Sequence, residues 1–246
     1  APVVTKKGAR RAADGANWFL TTVTNEQEVV SAKWMAASLG VHQIYINGKI
    51  VGEQFLKPGF THRTKTRHSF TYDITEAFNT AAGSENTLSA QVTPGWWADY
   101  IITPSRYEGL FGKKCAFRAV LELTFADGTT KLYGTDLENW KAGIAGPVKH
   151  AAIFDGEEYD AREKMGFECA DKLATPEVNA EFAGEILPSQ GAEIYLRRDL
   201  ALAPVKAYTW KDVENVKENE YGKVVIAKEF AQGEPITVQA GENLVI

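Results

Sequence analysis

The sequence has 246 residues, with 44% hydrophobic and 24% charged side chains, which is the balance of a soluble globular protein with a substantial core. The net charge of -5 argues against nucleic acid as a partner, because neutralising phosphates requires clustered Lys and Arg. No apolar run reaches the ~18 residues that span a membrane, so no membrane partner is expected. The segment Thr61–His68 is locally basic in this otherwise acidic chain, and we interpret it as the solvated face of a strand or loop.

The first residues carry little structural signal. Residues 1–16 are polar and rich in alanine, which predicts a flexible N-terminal arm. From Trp18 onward the pattern changes to short runs of β-formers separated by turn residues. The two cysteines, Cys115 and Cys169, are too few for a disulfide framework or a zinc site, and Cys115 lies in an apolar stretch typical of core.

Two hairpins are predicted from their turn residues. Asn47-Gly48 separates two β-forming runs and fits a type I′ turn, in which both central residues need a positive φ. Asp127-Gly128 is predicted to form the turn of a second hairpin, after the alternating run Phe117–Phe125. Strands at this spacing, with few helical patterns, predict an all-β fold, a jelly-roll β-sandwich over residues 17–165.

The pattern weakens after Arg162 and then resumes. Residues 166–190 contain Pro176 and Pro188 and predict a connector. A second set of β runs begins near residue 191, which predicts the start of a second β-sandwich over 191–246. The sequence stops inside the apolar run ending at Ile246, and we interpret it as a fragment cut early in that second sandwich.

Several of these segments resemble known families. The ordered set 41–52, 70–75 and 83–88 is similar to the galactose-binding-like jelly roll. More specifically, the sequence resembles the N-terminal β-domain of bacterial α-L-rhamnosidases. The matching motifs are Pro58-Gly-Phe-Thr61, Gly95-Trp96, Thr135-Asp136, Trp140-Lys141, Gly146-Pro147 and Ile153-Phe-Asp-Gly-Glu-Glu-Tyr-Asp-Ala-Arg162.

The resemblance has departures that bear on function. Some domains of the family bind terminal rhamnose through calcium, and the family often places an acid after Pro-Gly-Trp-Thr, where His62 and Arg63 stand here. We therefore expect no cofactor, with calcium as the alternative. The family's Asp-Gly-Trp-Tyr-Arg-Gly is replaced by Pro94-Gly-Trp-Trp-Ala-Asp99, which keeps the aromatic rings and changes the charges.

The loop Pro94–Asp99 is the first candidate carbohydrate site. Trp96 and Trp97 are adjacent, so on a strand they would face opposite ways and at most one would be core. In one interpretation, the exposed Trp stacks on the apolar face of a sugar. In the alternative, both rings pack against the protein and have a purely structural role. Asp99 completes this candidate site.

The second candidate site comprises Asp155, Glu157, Tyr159, Asp160 and Arg162, with Glu158 between them. Three interpretations stay open: a catalytic carboxylate pair, a sugar or cation site, and a buried corner in which Arg162 pairs with Asp155 or Asp160. The resemblance places the family's catalytic acids in a later helical barrel, so we predict no catalytic residue here. The same block could line the interface with that barrel.

The sequence thus predicts a non-catalytic accessory fragment of an α-L-rhamnosidase-like glycoside hydrolase acting on terminal α-L-rhamnosides. It would bind rhamnose-containing glycans or support the catalytic domain of its own parent protein. The alternative is a purely structural module that docks on that catalytic domain. The resemblance implies a periplasmic or secreted protein.

Overall fold

A computed structural model describes residues 4–5, 15–62, 65–101, 107–108, 111–153, 156–179, 184–203, 206–212 and 224–245. The chain forms two compact units, residues 1–196 and residues 197–246. Both are built from strands, which confirms the predicted all-β class. No helix in the described ranges is long and apolar enough to cross a membrane.

The first unit contains two main sheets. The strands of the larger, seven-stranded sheet are β1 (Val4–Thr5), β3 (Val29–Leu39), β6 (Thr66–Asp73), β10 (Ala116–Phe125), β11 (Thr130–Gly134), β15 (Glu177–Val178) and β16 (Glu185–Pro188). The five-stranded sheet comprises β2 (Asn17–Thr24), β4 (Val41–Ile46), β5 (Lys49–Val51), β7 (Glu85–Thr93) and β12 (Lys141–Ile144). Their strand orders are β15-β1-β10-β3-β6-β16, with β11 beside β10, and β12-β2-β7-β4-β5.

The smaller elements complete the first unit. Two short ribbons pair β8 (Tyr100–Ile101) with β9 (Tyr107–Glu108) and β13 (Val148–Ala152) with β14 (Gly156–Tyr159). The helical turns are α1 (Gly95–Ala98) and the 3₁₀ turns Thr75–Ala77, Gly166–Glu168 and Ala170–Lys172. The second unit has the 3₁₀ turn Arg198–Leu200 and the sheet β18-β17-β19, formed by β17 (Ala207–Asp212), β18 (Val224–Phe230) and β19 (Asn243–Val245).

Both predicted hairpins are present. Asn47 and Gly48 have φ values of 49° and 76° and join β4 to β5, as a type I′ turn requires. Gly128 has φ 82° in the loop between β10 and β11. The core between the two sheets follows from strand alternation, since Phe117, Leu121 and Leu123 of β10 are buried against the other sheet's Phe19 and Ile44.

The outer face of the five-stranded sheet is also covered. Trp18 is fully buried there, and the ring of Phe167 lies 5.8 Å from it. Cys169 and Leu173 join the same cluster, and Cys115 and Cys169 are both buried, with no disulfide between them. Residues 166–190, predicted as a connector, thus cover one sheet and contribute β15 and β16 to the other. Residues 1–3 and 6–14 of the predicted arm lie outside the described residues, while Val4–Thr5 pairs with β10.

Candidate functional site

The tryptophan pair lies on one helical turn. The strand geometry predicted for Trp96 and Trp97 is wrong, because both lie in α1, which begins directly after Pro94. Proline has a fixed φ, here -51°, that suits the start of a helix. One ring is nevertheless core: Trp97 is 8% exposed and its Nε1 donates to the carbonyl of Lys114 at 3.0 Å. Trp96 is half-buried and remains available at the surface.

Arg67 supports this turn from the neighbouring sheet. Its guanidinium carbon lies 4.6 Å from the Trp97 ring centre, within cation–π range. Its Nη1 donates to Thr61 Oγ1 at 3.2 Å and to the carbonyl of His62 at 3.0 Å. The predicted solvated face for Thr61–His68 is therefore wrong at Arg67, which is 3% exposed, because strand alternation turns it inward.

The Pro-Gly-Phe-Thr segment forms a loop beside Trp96. The Lys57-Pro58 peptide bond is cis, and Gly59 has φ 80°. Leu56 has φ 56°, a left-handed conformation that is uncommon for residues with a Cβ. Phe60 at the loop tip is 63% exposed, and its ring lies 5.7 Å from that of Phe111. The loop therefore presents an aromatic ring to solvent.

A cleft of about 300 Å³ lies between this loop, β6 and residues 189–194, and Trp96 forms part of its wall. We call it the aromatic cleft. It combines aromatic and polar side chains, as carbohydrate sites do. The polar and aromatic side chains that line it include Gln54, Lys57, Phe60, His68, Phe70, Trp96 and Glu193.

Two polar atoms of the cleft residues are buried without a hydrogen-bond partner in the described structure: Lys57 Nζ and Gln54 Oε1. Such atoms are rare in native proteins, because an unmade hydrogen bond costs about 1–3 kcal/mol. Burial lowers the pKa of Lys57 to about 8, and the negative charge of Glu193 opposes that shift. Neighbouring atoms cover both groups, so a bound molecule would reach this donor and this acceptor once the two side chains turn toward the cleft.

A buried polar chain lies behind Lys57. Ser38 Oγ donates to the carbonyl of Gly40 at 2.8 Å, so its lone pair accepts from His42 Nδ1 at 2.7 Å. His42 Nε2 then accepts from the Tyr72 hydroxyl at 3.3 Å. Burial, and secondly the charge of Lys57, lowers the pKa of His42 to about 3, which agrees with this neutral tautomer. The chain fixes the ring of Tyr72 beneath the Lys57 ammonium.

The second candidate site forms the ribbon of β13 and β14. The side chains of Glu157, Glu158 and Tyr159 are exposed, so the predicted buried corner is wrong for these residues. Asp155 lies outside the described residues. Arg162 pairs with Asp160, with Nε–Oδ1 and Nη2–Oδ2 distances of 2.8 and 2.7 Å. Hydrogen bonds from Arg162 hold the pKa of the Asp160 carboxyl well below its usual range.

The two candidate sites meet at Asp99. This carboxylate is 4% exposed, and its Oδ2 accepts from the backbone N–H of Ile153 at 2.7 Å. Asp99 is therefore a structural tie between α1 and the ribbon. Glu157, Tyr159, Asp160 and Arg162 do not line the aromatic cleft.

Sequence reasoning did not identify Lys57, Gln54, Phe70 or Glu193 as site residues. Glu193 is distant from the others in sequence, and the pairing of residues 54–55 with 194–195 brings its segment to the cleft. Lys57 precedes the Pro-Gly turn, and that position was the one available signal.

The Pro-Gly-Phe-Thr loop supplies no carboxylate for the calcium alternative. Calcium takes six to eight oxygen ligands from carboxylates, backbone and amide carbonyls and water. Residues 58–62 contain no carboxylate, and the structure gathers no group of three or more His, Cys, Asp or Glu side chains that could hold a metal in its described parts.

Comparison with known proteins agrees with this architecture. The α-L-rhamnosidase N-terminal domain family matches residues 27–190. An α-L-rhamnosidase of Alteromonas sp. (strain LOR) is 34% identical over 149 residues, which cover 60% of this chain and 16% of the relative. The chain thus spans about a sixth of that relative's length.

Solved structures show the same relationship. The crystal structure of Streptomyces avermitilis α-L-rhamnosidase complexed with L-rhamnose aligns with a TM-score of 0.62 and 29% identity, covering 70% of this chain and 17% of that one. The native α-L-rhamnosidase of Aspergillus terreus aligns with a TM-score of 0.73 and 22% identity over 92% of this chain and 25% of that one. With its family match over residues 27–190, this chain belongs to the α-L-rhamnosidase N-terminal domain family.

Proposed function

We propose that this chain is a non-catalytic accessory part of an α-L-rhamnosidase-like glycoside hydrolase, and that its aromatic cleft binds carbohydrate. The observation that carries the proposal is the conjunction in one cleft of the accessible Trp96 and Phe60 rings with the unpaired Lys57 Nζ and Gln54 Oε1. Aromatic rings pack on the apolar face of a pyranose, and unpaired polar atoms satisfy its hydroxyls.

The ligand class follows from the family. The proposed ligands are rhamnose-containing glycans, and the parent protein would hydrolyse terminal α-L-rhamnosides with residues elsewhere in its chain. We propose direct contact between sugar and side chains, without calcium. Such glycans lie outside the cytoplasm of bacteria, so we propose a periplasmic or secreted protein, which cell fractionation tests.

The absence of catalysis in this chain is part of the proposal. Glycoside hydrolysis needs two carboxyl groups facing one bond at a separation of roughly 5–10 Å. Glu157 and Glu158 are neighbours on a strand and point to opposite sides, and Asp160 is held by Arg162. We expect no hydrolysis of an aryl α-L-rhamnoside by this chain, and turnover would contradict the proposal.

Calorimetric titration tests the binding function. The chain is titrated with L-rhamnose and rhamnose-containing oligosaccharides, with and without calcium. Trp96→Ala should abolish binding, whereas the matched control Tyr159→Ala removes an exposed aromatic residue outside the cleft and should leave binding unchanged. Absence of binding at millimolar sugar, or loss of binding in Tyr159→Ala alone, would overturn the assignment to the aromatic cleft.

The ribbon supports a second candidate function, docking on the catalytic domain of the parent protein. The observation in its favour is the exposure of the whole of β14, including Tyr159 at 55%. In the longer enzyme, Tyr159→Ala together with Glu157→Lys should separate one cooperative thermal transition into two. An unchanged single transition would argue against docking through this ribbon.

A further inference from the structure

Lys57 is a buried cation with no hydrogen-bond partner among the described residues. The residue is 2% exposed, and its carbonyl accepts from the backbone N–H of His42 at 2.8 Å, which fixes its backbone beside β4. Its Nζ donates to no acceptor within the described structure. Instead, the ammonium lies 4.2 Å from the Tyr72 ring centre and 5.8 Å from that of Phe70.

The surroundings compensate this charge only in part. Removing an ammonium from water costs several kcal/mol even after relaxation of the protein. A cation–π contact returns about 0.5–2 kcal/mol. Burial accordingly lowers the pKa of Lys57 to about 8, so the side chain still carries its charge at neutral pH. A buried, charged and incompletely compensated ammonium is a site prepared for an anion.

Lys57 borders the aromatic cleft, in which we expect an anion to bind. Lys57 and Phe70 both line the aromatic cleft, and the Phe70 ring lies beside the ammonium, which neighbouring atoms cover in this side-chain arrangement. The Glu193 carboxylate lines the same cleft, but it accepts the hydroxyl of Tyr195 and is exposed. Lysine has a flexible four-carbon stem, which lets its ammonium turn toward a ligand without backbone movement.

We propose that the aromatic cleft takes a sugar that bears a carboxylate, a uronic acid, with the Lys57 ammonium as its counter-charge and the Trp96 ring as its platform. This inference rests on the proposed carbohydrate-binding function and specifies its ligand class. A neutral sugar would offer the ammonium a hydroxyl oxygen but no opposite charge. A polyanion would meet Glu193 and the net charge of -5, whereas a single carboxylate matches the single cation.

The protonation of Lys57 sets the pH dependence. The titratable groups facing it are His42 from β4, His68 and Tyr72 from β6, and Glu193 from the segment after β16. His42 stays neutral because its pKa is about 3, and burial raises the pKa of Tyr72, so that side chain stays neutral too. Binding of the carboxylate should therefore weaken as the pH rises above about 8.

The test compares two probes that differ only in charge. One is a disaccharide of rhamnose and galacturonate, and the other is the same disaccharide with its carboxyl group reduced to an alcohol. The wild-type chain should bind the acidic probe at least about ten-fold more tightly at pH 7, which corresponds to about 1.4 kcal/mol. Lys57→Met should abolish this preference while retaining affinity for the reduced probe, and His68→Gln measures the contribution of that imidazole.

Control variants keep the test decisive. Lys164→Met changes an exposed lysine outside the cleft and should leave both affinities unchanged. Thermal unfolding checks that Lys57→Met is folded, and the decline of acidic-probe affinity above pH 8 in the wild type provides a readout independent of that variant. Equal affinity for both probes, with Trp96→Ala abolishing both, would overturn this inference and leave the proposed function standing. Absence of binding to either probe would overturn both.

Discussion

The Asp99 carboxylate accepts the backbone N–H of Ile153 at 2.7 Å, joining two segments that are 54 residues apart in sequence. Asp99 follows the tryptophan turn, and Ile153 begins the acidic stretch of the ribbon. This bond anchors the tryptophan turn to the residue that directly follows β13. The acid at position 99 thus has a structural role in this fold.

Asp99→Ala should destabilise the first unit by about 1–3 kcal/mol, because the part-buried N–H of Ile153 loses its carboxylate acceptor. Asp99→Asn keeps an acceptor oxygen and should lose less. Urea denaturation followed by tryptophan fluorescence measures both. Equal stability of Asp99→Ala and the wild type would show that the bond to Ile153 contributes nothing.

Replacing the two adjacent tryptophans should lower the free energy of unfolding by different amounts. Trp97→Ala removes a ring that is 8% exposed and bonded to the Lys114 carbonyl, and should cost about 3–5 kcal/mol of unfolding free energy. Trp96→Ala removes a half-buried ring and should cost less than about 1.5 kcal/mol. Chemical denaturation of the two variants, side by side, checks the order, and the reverse order would contradict the packing described here.

Gly166 is predicted to be irreplaceable by alanine. A Cβ at this position would lie 2.3 Å from the ring of Trp18, which is fully buried and cannot move aside. Gly166→Ala should therefore lower stability by about 1–3 kcal/mol or more. Gly191→Ala is the matched control, because a Cβ there meets no atom within 4 Å. Thermal melting of both variants tests the contrast, and similar melting temperatures would refute it.

His42 should make the fold sensitive to acid. Its pKa is about 3 in the folded chain and about 6.5 when unfolded, so between these values the unfolded state binds the extra proton. Stability is complete above pH 6.5 and falls as the pH drops through this window, by about 1.4 kcal/mol per pH unit well inside it. His42→Gln should remove this component. The measurement is unfolding free energy at pH 7 and pH 4.5 for both proteins, and an equal loss in both would exclude His42.

The Asp160–Arg162 pair should have little influence on stability. The Arg162 side chain is 89% exposed, and exposed pairs of this kind are screened by water and salt. Arg162→Ala should leave the melting temperature of this chain unchanged within error. A clear drop would show that Arg162 makes a packing contribution beyond the pair.

The sequence determined the fold class from local chemistry. Asn47-Gly48 specifies a turn that only residues tolerating positive φ can form, and the alternation in 117–125 specifies a strand with one buried face. The family motifs could also be recognised from sequence alone. The sequence indicated that at most one of Trp96 and Trp97 is core, but not which one. Their helical context was missed, because Pro94 initiates a turn within a stretch otherwise rich in β-formers.

Only the tertiary structure decided which polar groups are buried together. Arg67 belongs to a run that is polar throughout in sequence, and its burial beneath Trp97 arises from the packing of β6 against α1. Lys57 and Glu193 are 136 residues apart, and they share a cleft because the segment after β16 returns to the Pro-Gly loop. Burial and long-range proximity are properties of the packed chain, so an unpaired ammonium in a cleft cannot be recognised until the strands are in place.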